Sequence, residues 1–87
     1  MAKSLRDKVT EALIEAVGTD AHIELEDVEP DKIGGIVLWD AFATMSPLER
    51  QDHIWKSLDE HLNTYERTRV VFIVADTAEE YEAIKAG

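Results

Sequence analysis

A helix start that local sequence specifies almost completely lies near the middle of the 87-residue chain. Ser46 suits the N-cap, Pro47 the first helical position, and Glu49 closes a capping box at the third. Gln51 falls within the apolar stripe that follows, so we expect its amide to have a hydrogen-bond partner. The stripe predicts an amphipathic helix ending near residues 61–63, and it consists of Leu48, Ile54, Trp55, Leu58 and Leu62.

The other patterns predict two more helices and three strands around this helix. A first helix spans about Ser4 to Val17, and a last one is capped by Thr77 with Glu80 at its third position. Apolar and polar residues alternate over 21–28, which predicts a half-buried strand. A turn at 29–32 and the conformationally flexible glycines 34–35 lead to a second strand over 36–42. The apolar run 70–75 is the third strand. The predicted fold is therefore α/β (α+β), in the order α-β-β-α-β-α.

Length, composition and charge define the class of protein. Residues 1–87 are enough for a single domain, and 45% of them are hydrophobic, as in globular proteins. No segment approaches the roughly 20 apolar residues of a membrane span. The start of the sequence lacks the apolar core of a signal peptide, and there is no cysteine, so we expect a cytoplasmic protein without membrane contact. A net charge of −10 repels polyanions and predicts no nucleic-acid binding.

Residues that could carry chemistry are not arranged for it. His53 and His61 would lie roughly 12 Å apart along a helix, too far to share a metal ion. The acids between residues 24 and 31 lack the spacing of a calcium loop. Ser46 is interpreted as a helix cap, because a carrier protein attaches its prosthetic group at an Asp-Ser-Leu sequence and this Ser is flanked by Met45 and Pro47. We therefore predict no metal, no cofactor and no enzymatic activity.

The order of several motifs resembles the BolA-like family. That family's pattern runs Phe-x-Gly-x-Ser-x-x-x-Arg-His-Arg-x-Val-Tyr, then a strand opening with His-Ala-Leu, then Thr-Pro-Glu-Glu-Trp. The matching or conservative positions here are Phe42, Ser46, Arg50, Ile54 and Trp55, followed by an apolar strand and the segment 77–81. The resemblance implies a three-stranded mixed sheet with helices on one face, in a type II KH-like arrangement.

The positions that the family uses for chemistry differ in this chain. The resemblance implies a monothiol glutaredoxin as partner and a shared iron–sulfur cluster, held by the His at the strand start and a Cys or His in the hairpin loop. Arg69 stands at that strand position, and the loop 29–35 contains neither residue type. Thr44 also replaces the Gly, and Gln51 with Asp52 replaces His-Arg. Cluster binding is therefore not carried over to this chain.

The second and third strands are apolar on both alternations, which one layer of helices cannot cover. We expect the uncovered face to bind a protein partner or a second copy of the chain, through Val37, Trp39, Val71 and Ile73 together with Arg50 and Arg69. The sequence thus predicts a small acidic interaction or regulatory module. An oligomer-forming domain, or a carrier or accessory subunit of unrelated function, remains the alternative.

Overall fold

The computed structural model describes residues 3–86, which form three strands, four α-helices and one 3₁₀ helix. The order α-β-β-α-β-α is confirmed, with a 3₁₀ helix and one short α-helix added to it. The elements are α1 (Leu5–Val17), β1 (His22–Glu29), β2 (Lys32–Leu38), the 3₁₀ helix Asp40–Thr44, α2 (Pro47–His61), α3 (Thr64–Thr68), β3 (Val70–Asp76) and α4 (Ala78–Ala86).

The three strands form one mixed sheet in the order β1-β2-β3. β1 and β2 are an antiparallel hairpin, in which Ile23 lies opposite Val37. β2 and β3 are parallel, with Gly35 opposite Ile73. Parallel neighbours need a crossover connection, and the segment containing α2 and α3 provides it. This arrangement places β2 at the centre and leaves β1 and β3 at the edges.

The hydrophobic core lies between one face of the sheet and the helices α1 and α2. The helices contribute residues spaced three or four apart, which is the period that places side chains on one face of a helix. The core residues are Val9, Ala12, Leu13, Val17, Val37, Phe42, Ile54, Leu58, Leu62, Val70, Ile73 and Ala75.

The predicted helix caps are confirmed by their hydrogen bonds. Ser46 Oγ accepts from the amide of Glu49 at 3.2 Å, and a Glu49 carboxylate oxygen accepts from the amide of Ser46 at 2.9 Å. Thr77 and Glu80 make the same reciprocal pair at the start of α4, at 3.1 and 2.9 Å. No helix formed by residues 3–86 is long and apolar enough to cross a membrane.

Two local predictions need correction. Gly34 and Gly35, expected to lie in a loop, are buried within β2, which ends at Leu38 so that residues 40–42 begin the 3₁₀ helix. The ring of Phe72 explains the first glycine, because a Cβ added to Gly34 would lie 2.1 Å from Phe72 Cε2. Leu48 is 71% exposed, since Arg50 takes the inward position in the first turn of α2.

Candidate interaction surface

The face of the sheet opposite the core helices carries four apolar side chains on two neighbouring strands. Val37 and Ile73 point into the core, so the residues beside them in sequence point the other way. Ile36 lies opposite Val74 in the β2–β3 register, and Gly34 lies opposite Phe72. We call the surface formed by Ile36, Leu38, Phe72 and Val74 the open face, and each of its four side chains is only partly buried.

The sequence pattern placed the uncovered apolar residues on the opposite alternation. Val37 is fully buried and Ile73 is 6% exposed, because both pack beneath the helices. Trp39 packs against the core and meets Phe42 edge to face, with ring centroids 5.2 Å apart. Val71 is 43% exposed and lies where the β2–β3 register shifts. Of these four predicted contact residues, Val71 is therefore the most exposed.

Arg50 is engaged inside the fold. Its Nε donates to the carbonyl oxygens of Phe42 and Met45 at 3.0 and 3.1 Å, and its Nη1 donates to the carbonyl of Ala75 at 3.2 Å. Both terminal nitrogens donate to the carboxylate of Glu80, at 2.7 and 3.0 Å. One side chain thus connects the 3₁₀ helix, β3 and α4.

The contact between Arg50 and Glu80 holds α4 in place electrostatically. No residue of α4 is buried, so its attachment depends on this first turn. The hydrogen bond from Arg50, together with the backbone amide of Thr77, lowers the pKa of Glu80 to about 2. The same bond raises the pKa of Arg50, with Asp76 adding a weaker attraction. The two side chains therefore stay charged throughout the physiological pH range.

Arg69 is also engaged in contacts within the fold. Its Nη2 lies 2.8 Å from an Asp31 carboxylate oxygen, and its Nε donates to the Asp31 carbonyl. Its guanidinium lies 5.2 Å from the centre of the Tyr65 ring. Arg69 thereby joins β3 to the β1–β2 turn, and a guanidinium offers no lone pair to a metal.

The histidines are dispersed and make separate contacts. His53 Nε2 donates to the carbonyl of Ala16 at 2.6 Å. The His53 ring stacks on the Trp39 ring, with the ring centroids 5.7 Å apart. His61 lies 2.8 Å from a Glu15 carboxylate oxygen. Among residues 3–86, no three His, Cys, Asp or Glu side chains are grouped closely enough to hold a metal ion.

A groove runs along the free edge of β1, which sequence reasoning did not find. It lies between the outer side of α1 and β1, and its volume is about 510 Å³. Its lining combines the apolar side chains of Ile14, Ile23 and Leu25 with polar ones, among them Arg6 and His22. Ile14 is 39% exposed there. The alternation of β1 was visible in the sequence, but the distance between α1 and the edge strand depends on tertiary packing.

Acidic side chains border both surfaces. Asp27 is paired with Arg6 at 2.8 Å and Glu29 with Lys32 at 3.2 Å. Within residues 3–86, the one ion-pair contact of Glu24 is with His22, at 3.2 Å. Glu26 has no ion-pair partner in the part of the chain that the structure describes. β1 therefore presents net negative charge beside the groove and beside the open face.

Comparison with models of protein families, with curated proteins and with solved structures finds no match to this chain. Any inference about function therefore rests on the surfaces described above. The open face combines apolar side chains with the carboxylates of β1, and the groove combines apolar side chains with polar ones such as Arg6, Thr10 and His22. Such a combination is suited to binding another macromolecule.

Proposed function

We propose that this chain is a small acidic interaction or regulatory module on a BolA-like frame, which binds a protein partner through the open face. The observation that carries the proposal is the contiguous set Ile36, Leu38, Phe72 and Val74, on the side of the sheet away from α1 and α2. Contiguous apolar surface of this kind marks interaction sites on small proteins. Burial in a complex would remove it from water at about 25 cal/mol per Å², before the costs of association.

The BolA-like part of the proposal is supported by the order of elements and by the mixed sheet with its core helices on one face. Both agree with the fold that the sequence resemblance implies. The ligand positions do not agree, because Arg69 is bonded to Asp31 and the loop 29–35 has neither Cys nor His. A monothiol glutaredoxin could then be a partner only through protein contacts, without the shared cluster.

The charge around the open face favours a different protein over a second copy. Glu24 lies opposite Ile36 and Glu26 opposite Gly34, so two carboxylates border the apolar residues on the β1 side. Asp76 follows on β3, opposite Leu38. Two copies meeting face to face would bring these like charges together, at a net charge of −10 each. A partner with basic residues around an apolar centre has the complementary pattern.

We propose no catalytic role, because the buried polar side chains bond within the fold. Arg50 bonds to three carbonyls, Ser57 Oγ donates to the carbonyl of Ala12 at 2.7 Å, and Thr77 caps α4.

The carrier alternative requires a modified serine. The intact mass of the protein from its native cells tests it directly, since a phosphopantetheine adduct would favour the carrier over the interaction module.

The test of the open face uses Val74→Arg, with Ile84→Arg as the matched control. Ile84 is 67% exposed on α4, so its change adds the same charge away from the open face. Circular dichroism should show that both variants fold. Affinity capture from native cells with quantitative mass spectrometry should identify a basic protein that wild type and Ile84→Arg retain equally and that Val74→Arg loses.

Two outcomes would contradict the proposal. A partner retained equally by Val74→Arg would bind elsewhere on the molecule. Absence of any protein enriched on wild type relative to Val74→Arg would leave the open face without an interaction role. Sedimentation equilibrium over a concentration series tests the homodimer alternative, which requires association of wild type that Val74→Arg abolishes.

A further inference from the structure

β1 is an edge strand whose outer side meets no other strand among residues 3–86. It is eight residues long, and only its inner side pairs, with β2. An edge strand presents unpaired N–H and C=O groups along its free side, and these can hydrogen-bond an added strand. The backbone of β1 is thus a template for an extended segment of another protein.

The groove beside this edge would receive half of the side chains of such a segment. Successive side chains of a strand point to opposite faces of the sheet. Those on the core side would enter the space between α1 and β1, where they would meet Ile14, Ile23 and Leu25. The volume of about 510 Å³ lies in the range of roughly 300–1,000 Å³ that is typical of ligand clefts. The side chains that face Ile14, Ile23 and Leu25 should therefore be apolar, because Arg6 in the same groove is already paired with Asp27.

The other half of the side chains would lie beside Glu24 and Glu26, which point away from the core. Directly opposite residues on neighbouring strands interact, favourably for unlike charges and unfavourably for like charges. The segment should therefore carry Lys or Arg at these positions. A second copy of β1 would place glutamates there instead, so the charge of the edge disfavours pairing between copies.

We propose that β1 binds an extended segment of the partner as a fourth strand, with apolar residues in the groove alternating with basic residues beside Glu24 and Glu26. This inference rests on the proposed interaction function and specifies the element by which the partner is recognised. The β1–β2 register shift between Asp27 and Glu29 limits regular pairing to the first part of β1, residues 22–27. The added strand would widen the open face on its β1 side.

The first experiment uses a short synthetic peptide that alternates Lys with Val. Its control has the same composition with the Lys and Val residues in separate blocks. Nuclear magnetic resonance titration of the 87-residue protein should show shifts at Ile14, Ile23 and Leu25, and slower exchange of the outward amides of β1. The block peptide should bind much more weakly, since it cannot send its apolar and basic side chains to opposite faces.

Backbone methylation distinguishes strand addition from contact through side chains alone. Methylating the peptide amides on one alternation removes the hydrogen bonds to β1, whereas methylating the other alternation leaves them intact. One methylated peptide should therefore lose binding and the other should retain it. Equal loss in both, with shifts centred on Ile36, Phe72 and Val74, would overturn strand addition while leaving the open face as a binding surface.

A charge-reversed pair of protein variants tests the basic alternation. Glu24→Lys with Glu26→Lys should weaken the alternating peptide by about three- to thirtyfold, since two cross-strand pairs are lost. Glu60→Lys with Glu82→Lys changes the net charge equally on exposed parts of α2 and α4 and should leave the affinity nearly unchanged. Equal weakening in both double variants, or no binding of the alternating peptide to wild type, would overturn the inference. The Val74→Arg capture experiment tests the open face separately.

Discussion

The contact between Gly34 and Phe72 can be tested by adding a single methyl group. In Gly34→Ala the new Cβ would lie 2.1 Å from Phe72 Cε2 and 2.2 Å from Cζ, well inside van der Waals contact. The backbone itself does not forbid alanine, because Gly18 is the glycine with positive φ in the described chain, at 80°. The substitution therefore isolates a side-chain clash on the open face.

The expected magnitude combines two opposing terms. Overfilling a packed site costs about 1–3 kcal/mol, whether the ring moves into solvent or the strands separate. Replacing a glycine in a strand by alanine recovers roughly 0.5–1 kcal/mol. We expect a net loss of up to about 2.5 kcal/mol in the free energy of unfolding. For a domain of this size, each kcal/mol lost from the free energy of unfolding lowers Tm by about 4–8 °C.

A double-mutant cycle with Phe72→Ala separates the clash from the effect of the strand. With the ring removed, Gly34→Ala should become stabilising by up to about 1 kcal/mol. Urea denaturation of the four proteins, followed by Trp fluorescence, gives the coupling free energy between the two sites. Equal effects of Gly34→Ala with and without the ring would refute the idea that Phe72 packs on Gly34.

Four further predictions follow from the core, the α4 contact, the surface charge and the absence of the cluster-ligand residues. Phe42→Ala should lower the free energy of unfolding by about 3–5 kcal/mol in urea titration, because Phe42 is fully buried. The contribution of the Glu80 carboxylate should be fully present above its unfolded pKa near 4.5 and lost as the pH falls towards about 2, so Glu80→Gln should flatten the acid dependence of stability. Gel-shift titration at physiological salt should show no nucleic-acid binding, and a shifted band would contradict this expectation. Mixing with a cluster-loaded monothiol glutaredoxin should give no stable coloured complex, and a coloured complex would contradict the loss of cluster binding.

The sequence predicted the helix starts well because their signals are local. Ser46 and Thr77 each lie three residues before a glutamate, and both capping boxes form. Gln51, expected to need a partner within the apolar stripe, donates to the carbonyl of Ile73 at 2.9 Å. The same kind of signal was available for α3, where Asn63 and Glu66 form a third box that the sequence analysis did not use.

The assignment of strand faces failed because it depends on contacts that are distant in sequence. β2 and β3 are apolar on both alternations, so periodicity alone does not tell which one lies under the helices. Gly34 and Gly35 added to the ambiguity, since they match a loop in composition. In the structure Gly34 accommodates the Phe72 ring, and Gly35 lies against Ile73 on the core side. The open face therefore became identifiable only from the register of the three strands.

The pairing of the basic residues explains why salt should distinguish the two kinds of partner. Seven of the nine lysines and arginines have a carboxylate within ion-pair distance among residues 3–86: Lys3, Arg6, Lys8, Lys32, Arg50, Arg67 and Arg69. With nineteen acids in the chain, an approaching protein meets a negative field. Added salt screens that field, so it should slow and weaken binding of a basic partner but relieve the repulsion between two copies of the chain. Sedimentation at low and high salt therefore has opposite expected trends for the two cases. Association that strengthens with salt would favour the homodimer, whereas a complex that weakens with salt would favour the basic partner.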